Sequence, residues 1–179
     1  MHDLDREPVS LKDLELDQLP LQKELVRSAH SALSAEDDVV AAVLLGSLAA
    51  GKGDRVSDAD IIAFTQNDFH RTISSCLACF EADKEIFYSL DGSREDQYFF
   101  KKYIFTDLTS AEIHFMDASE PFSISRPFKV LFDKGDIVAS RLTDEPAPKH
   151  KDFPVYTSGD EGLIWELFDC IKWLSRDDK

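Results

Sequence analysis

Two rhythms of apolar residues run along this chain, and they mark out its elements. Leu21, Leu25, Ala29 and Leu33 recur four residues apart, the repeat of one helix face. Pro20 stands ahead of them, in the first turn, where its missing N–H is not needed. The stretch DDVVAAVLLGS then shows no alternation, as a strand covered on both faces would, and predicts a strand over residues 39–46. After a small-residue loop at 47–57, DADIIAFTQ predicts a second strand, and residues 68–85 predict a helix. EIFYSL reads as a short strand before a polar turn at DGSRED.

YFFKKYIFTDL and SAEIHFMDA are two further strands, rich in aromatic and branched residues. The second alternates, with Ile113 and Phe115 on one side and Glu112 and His114 on the other. PFKVLFDKGDIVASRL predicts a strand, a tight turn at Lys134-Gly135, and a strand or extended tail. Residues 143–157, with Pro146, Pro148 and Pro154, read as a linker. The last helix starts at Ser158, which forms a capping-box pattern with Glu161, and continues through Leu163, Leu167, Ile171 and Leu174. Trp165 and Trp173 lie off that stripe, so the helix is apolar on more than one side and calls for more than one neighbour.

This order predicts an α+β fold, a mixed sheet of about five strands flanked by helices, with a C-terminal helix. The expected organisation is a loose acidic N-terminus at 1–18, a core domain at 19–142, the linker at 143–157 and the terminal helix at 158–179. That helix is expected either to dock against a second copy or a partner chain, or to open a truncated helical domain.

Composition narrows the partners. With 35 acids against 20 bases, the 179-residue chain carries a formal charge of −15, spread from end to end. Such a surface repels nucleic acid and anionic lipid, and attracts cations. No signal-peptide core opens the chain, and nowhere do about 18 apolar residues run together, so a cytoplasmic protein without membrane contact is expected. Cys76 and Cys79 form a CxxC, but no second Cys or His pair stands at ligand spacing; with Cys170 they read as reduced thiols, the first two buried. His30 and His70 have no Cys or Asp set around them in the sequence that reads as a metal site.

The chemistry gathers around GSLAAGKGDRVSDADIIAF. Gly46 and Ser47 end a buried strand and can bring backbone amides close to a phosphate. Asp58 and Asp60 stand two apart at the mouth of the next strand, so both carboxylates face the same side, about 6 to 7 Å apart. Such a pair suits a hard cation, magnesium above all. Glu112, on the polar side of an alternating strand, is the best third acid, with Asp117 and His114 in reserve.

These residues resemble the nucleotidyltransferase superfamily of the DNA polymerase β type, marked by hydrophobic-Gly-Ser, a spacer of about ten residues and Asp-x-Asp or Asp-x-Glu. The small bacterial branch with the aminoglycoside nucleotidyltransferases is nearest, since AEIHFMD is similar to its later Glu-bearing strand; the resemblance spans residues 20–135. It implies the nucleotidyltransferase fold, a two-ion magnesium site, and ATP or another nucleoside triphosphate as substrate. It further implies transfer of the nucleoside monophosphate to a hydroxyl of a small molecule, such as a cationic aminoglycoside, an antibiotic-resistance activity. Carried over by position, Gly46 and Ser47 hold the triphosphate, Asp58 and Asp60 the metal, and Glu112 the third metal and catalytic position. Many members carry Arg or Lys three residues after the Ser; here that position is Ala50, and Lys52 or Arg55 stands in. A second implied class is a protein-directed or non-catalytic module of this fold, as in toxin–antitoxin pairs, acting through a partner chain.

Overall fold

A computed structural model describes residues 14–94, 98–148 and 158–176. The chain folds as an α+β unit around a mixed six-stranded sheet. Helix α1 spans Pro20–Ser34, strand β1 Val39–Leu44, the one-turn helix α2 Gly46–Ala49 and strand β2 Ala59–Thr65. Helix α3 is Ser74–Glu81, followed by strands β3 (Ile86–Arg94), β4 (Tyr98–Phe105), β5 (Ser110–Asp117) and β6 (Lys129–Asp133), and by helix α4 (Gly159–Ser175). The sheet order is β3-β4-β5-β2-β1-β6. Only β2 and β5 pair in parallel; the other neighbours are antiparallel.

Period-two alternation gives each strand two faces. On one, Ile61, Ala63, Ile113, Phe115, Tyr103 and Phe105 pack against Leu25, Ala29 and Leu33 of α1 and Leu77 and Phe80 of α3. On the other, Ile62, Phe64, Met116, Ala41, Val43 and Val130 meet Ile124, Phe128 and Val138 of the segment flanking β6. That second core fills one end of its face. The other end carries Asp60 and Glu112 and is roofed by α4.

The sheet holds six strands rather than about five: EIFYSL is a full edge strand of it, extending through Asp91–Arg94 and pairing with β4. The polar turn expected at Asp91–Asp96 is strand as far as Arg94, and residues 95–97 lie outside the described residues. The helix expected over 68–85 is a 3-10 turn at Phe69–Arg71 followed by the shorter α3. After the turn at Lys134-Gly135 the chain forms a 3-10 turn, Ala139–Arg141, in place of the expected strand or extended tail, because the Asp133 carboxylate accepts hydrogen bonds from the Ile137 and Val138 amides and bends the backbone. Leu21 is 51% exposed; α1 buries Gln22, Val26 and Ala32 beside Leu25, Ala29 and Leu33. Cys76 is buried and burial pushes its thiol up to about 12, whereas Cys79 is exposed. Residues 1–13 and 149–157, with most of the expected linker, lie outside the described residues. Among the described residues no helix is long and apolar enough to cross a membrane.

Candidate active site at the mouth of β2

Strand β1 runs out of the core at Leu44, and Gly46 reverses the chain into α2 with φ +68°, a left-handed conformation that favours glycine. A second constraint fixes the same residue. A Cβ on Gly46 would lie 2.3 Å from Oδ2 of Asp60, so only glycine lets the loop lie flush against that carboxylate. The Leu45 amide also donates to the Asp60 carbonyl at 2.8 Å, tying the end of β1 to the start of β2.

Parallel pairing of β2 with β5 sets Asp60 directly beside Glu112. Asp58, two residues earlier, faces the same side and accepts a hydrogen bond from the Ser110 hydroxyl. The structure therefore brings Asp58, Asp60 and Glu112 to one strand mouth, with Gly46 against them. Burial, then the neighbouring charges of Asp58 and Glu112, push the Asp60 carboxyl well above the usual carboxylate range.

Glu112 is set differently. Its Oε1 lies 2.7 Å from Nε2 of His114 and its Oε2 3.0 Å from Nζ of Lys102. Burial raises its pKa, but His114 and Lys102 more than offset that and hold it down to about 2. The His114 ring stacks on Tyr98, whose hydroxyl meets Nδ1, so a Tyr98-His114-Glu112 chain lines this face. Lys102 also lies over the Trp165 ring of α4, 4.9 Å from its centroid.

The largest departure from the sequence reading comes from α4. The leucine stripe of Leu163, Leu167, Ile171 and Leu174 is exposed, and the opposite face is buried. Trp165 is 4% exposed and Lys172 3%. The Lys172 ammonium donates to both oxygens of Asp58, at 2.6 and 2.7 Å, and lies 2.6 Å from Oδ1 of Asp169. Burial works against its charge, but Asp58 and Asp169 more than offset that and raise its pKa above the ordinary lysine value. Four residues on, Arg176 forks onto Asp54 at 2.6 and 2.9 Å and reaches the Ser57 hydroxyl. Arg176 is the first cause holding the Asp54 carboxyl down to about 2.

Sequence reasoning missed Lys172 and Arg176, although a signal was there. Trp165, Asp169, Lys172 and Arg176 are spaced 4-3-4 and share one helix face. Ser57 closes a turn with Asp54 through hydrogen bonds of 2.9 and 3.0 Å. Lys52 is exposed; its amide donates to the Ser47 carbonyl at 3.0 Å. Arg55 is exposed too, and the guanidinium that reaches this loop belongs to Arg176. Ser158 caps α4 by position but makes no side-chain capping bond, so the capping box does not form.

His70 corrects the reading that no Asp accompanies it. Among the described residues, Asp68, His70 and Asp117 have ligand atoms within 4.8 Å of one another, at the opposite end of β2 and β5. Asp58, Asp60 and Glu112 do not meet that distance, with Lys172 bonded to Asp58 and Lys102 to Glu112. The donor set nevertheless fits a hard divalent cation: it is all carboxylate oxygen, and Asp58 already seats a cation on both of its oxygens. Neither a protein-family model nor a curated protein matches the chain.

Proposed function

We propose that this protein is a metal-dependent nucleotidyltransferase that moves a nucleoside monophosphate, AMP from ATP in the first instance, to a hydroxyl of a small molecule. One observation carries the reading: Asp60 and Glu112 stand in register on parallel β2 and β5, with Asp58 on the same side and Gly46 flush against Asp60. Asp58 and Asp60 would hold magnesium, with Glu112 at the third position, and the bound ions would offset charge on the transferring phosphate and acidify the acceptor hydroxyl. Gly46 leaves the backbone open to a triphosphate, and Ser47 offers a hydroxyl and amide beside it. In the transfer the acceptor oxygen bonds to the α-phosphorus as the bridge to the β-phosphorus breaks, and pyrophosphate leaves with that electron pair. The acceptor proton would pass to the Glu112 carboxylate, a weak base while His114 and Lys102 hold it down to about 2, only from a hydroxyl that the bound ions have already acidified. A surface of net charge −15 favours a cationic acceptor such as an aminoglycoside.

The test is pyrophosphate release from ATP and magnesium with a panel of aminoglycosides and lincosamides. Release that needs one acceptor and falls at least about a hundredfold in Asp58→Ala with Asp60→Ala is the expected result. Release unchanged in that double variant contradicts the reading.

A second reading has its own observation. Leu163, Ile164, Leu167, Ile171, Trp173 and Leu174 are all exposed on α4, more apolar surface than one helix usually leaves uncovered. A second copy or a partner chain seated there would make the fold a protein-directed module, as in toxin–antitoxin pairs. A monomer by sedimentation at working concentration, with no chain retained on α4, argues against it.

A further inference from the structure

We infer that Lys172 is a built-in counter-cation of the Asp58 site and that α4 is a releasable lid, so that a divalent cation and the Lys172 ammonium compete for the same carboxylate. The inference rests on the metal-site reading above and adds how that site is kept shut.

Three features support it. First, the ammonium uses both Asp58 oxygens, at 2.6 and 2.7 Å, leaving that carboxylate no open bidentate edge. It sits between the rings of Trp165 and Phe168, 5.3 and 5.0 Å from their centroids, in a seat made for a cation. Second, charge is among the fastenings of α4. Its described buried residues are Gly162, Trp165 and Lys172, and its ties include Arg176 on Asp54, Lys102 over the Trp165 ring and the Tyr88 hydroxyl on the Glu161 carbonyl. A divalent cation that takes the Asp58 carboxylate removes one of these ion pairs directly, which it could not do to a dock made by apolar burial alone. Third, Asp60 stands in register beside Glu112 and on the same side as Asp58, so three carboxylates crowd one strand mouth. A divalent ion placed among these acids offsets more of that repulsion than the single ammonium does.

The experiment uses the full chain and Mn2+ alone, with binding read from the EPR signal of the free ion. Lys172→Met is expected to bind Mn2+ at least about tenfold more tightly than the unsubstituted chain, and Asp58→Asn is expected to lose the site in both backgrounds. An independent readout needs no change at Lys172. In a Trp173→Phe chain, whose one tryptophan is Trp165, Mn2+ is expected to shift the emission to the red and increase acrylamide quenching. Asp58-dependent binding that is equally tight in Lys172→Met and leaves Trp165 shielded overturns the lid and leaves the metal site standing. No Asp58-dependent binding in either chain overturns the metal-site reading, and the lid with it.

Discussion

Asp60 is where the cost of the site is most concentrated. A carboxylate pushed up by burial and by two neighbouring acids takes on a proton in the folded chain at a pH where the unfolded chain has lost it. The sign follows from linkage: the folded pKa lies above the unfolded value of about 3.9, so stability falls as pH rises between those two values. Asp60→Asn is therefore expected to raise stability at neutral pH in metal-free buffer by about 1 kcal/mol, read from urea melts, and to flatten that pH slope. A variant less stable than the parent at neutral pH contradicts the assignment. Asp58, Asp60 and Glu112 were legible because strand period alone fixes which side a residue faces, and Gly46 because of its place at the end of a buried strand. Lys172 was not, since a lysine within an apolar helix reads as solvent-facing until an acid such as the half-buried Asp58 is found opposite it.

At the scale of elements, the same helical repeat marks the sheet-facing side in α1 and the exposed side in α4. Leu25, Ala29 and Leu33 do face the sheet, while Leu21, one turn earlier, looks outward. Leu25→Ala is expected to cost about 2–4 kcal/mol by denaturant melts, and Leu21→Ala less than about 0.5 kcal/mol. Equal losses would mean that α1 sits on the sheet in a different rotation. In α4 two faces compete, one of leucines and one of Trp165, Lys172 and Arg176, and hydropathy scores only the first. The acidic mouth of β2 decides the contest, because it offers Asp58 and Asp54 as partners for the second. Sheet order and the extension of β3 were also beyond sequence patterning, since pairing partners are distant in the chain and Asp91–Arg94 carry little β preference.

For the whole molecule, two faces of one sheet divide the work. The face under α1 and α3 is apolar, while the other pairs an apolar end with an acidic end that α4 covers. A surface of net charge −15 surrounds that mouth, so cations are drawn to it, and a triphosphate approaches favourably only with its metal. Calorimetric binding of a non-hydrolysable ATP analogue, with and without magnesium, to the unsubstituted and Lys172→Met chains tests the proposed nucleotide site most directly. Magnesium-dependent binding in both chains, stronger in Lys172→Met and lost on adding Asp58→Ala with Asp60→Ala, is the predicted result. Absence of binding in both chains, or binding that survives loss of the two aspartates, would contradict it.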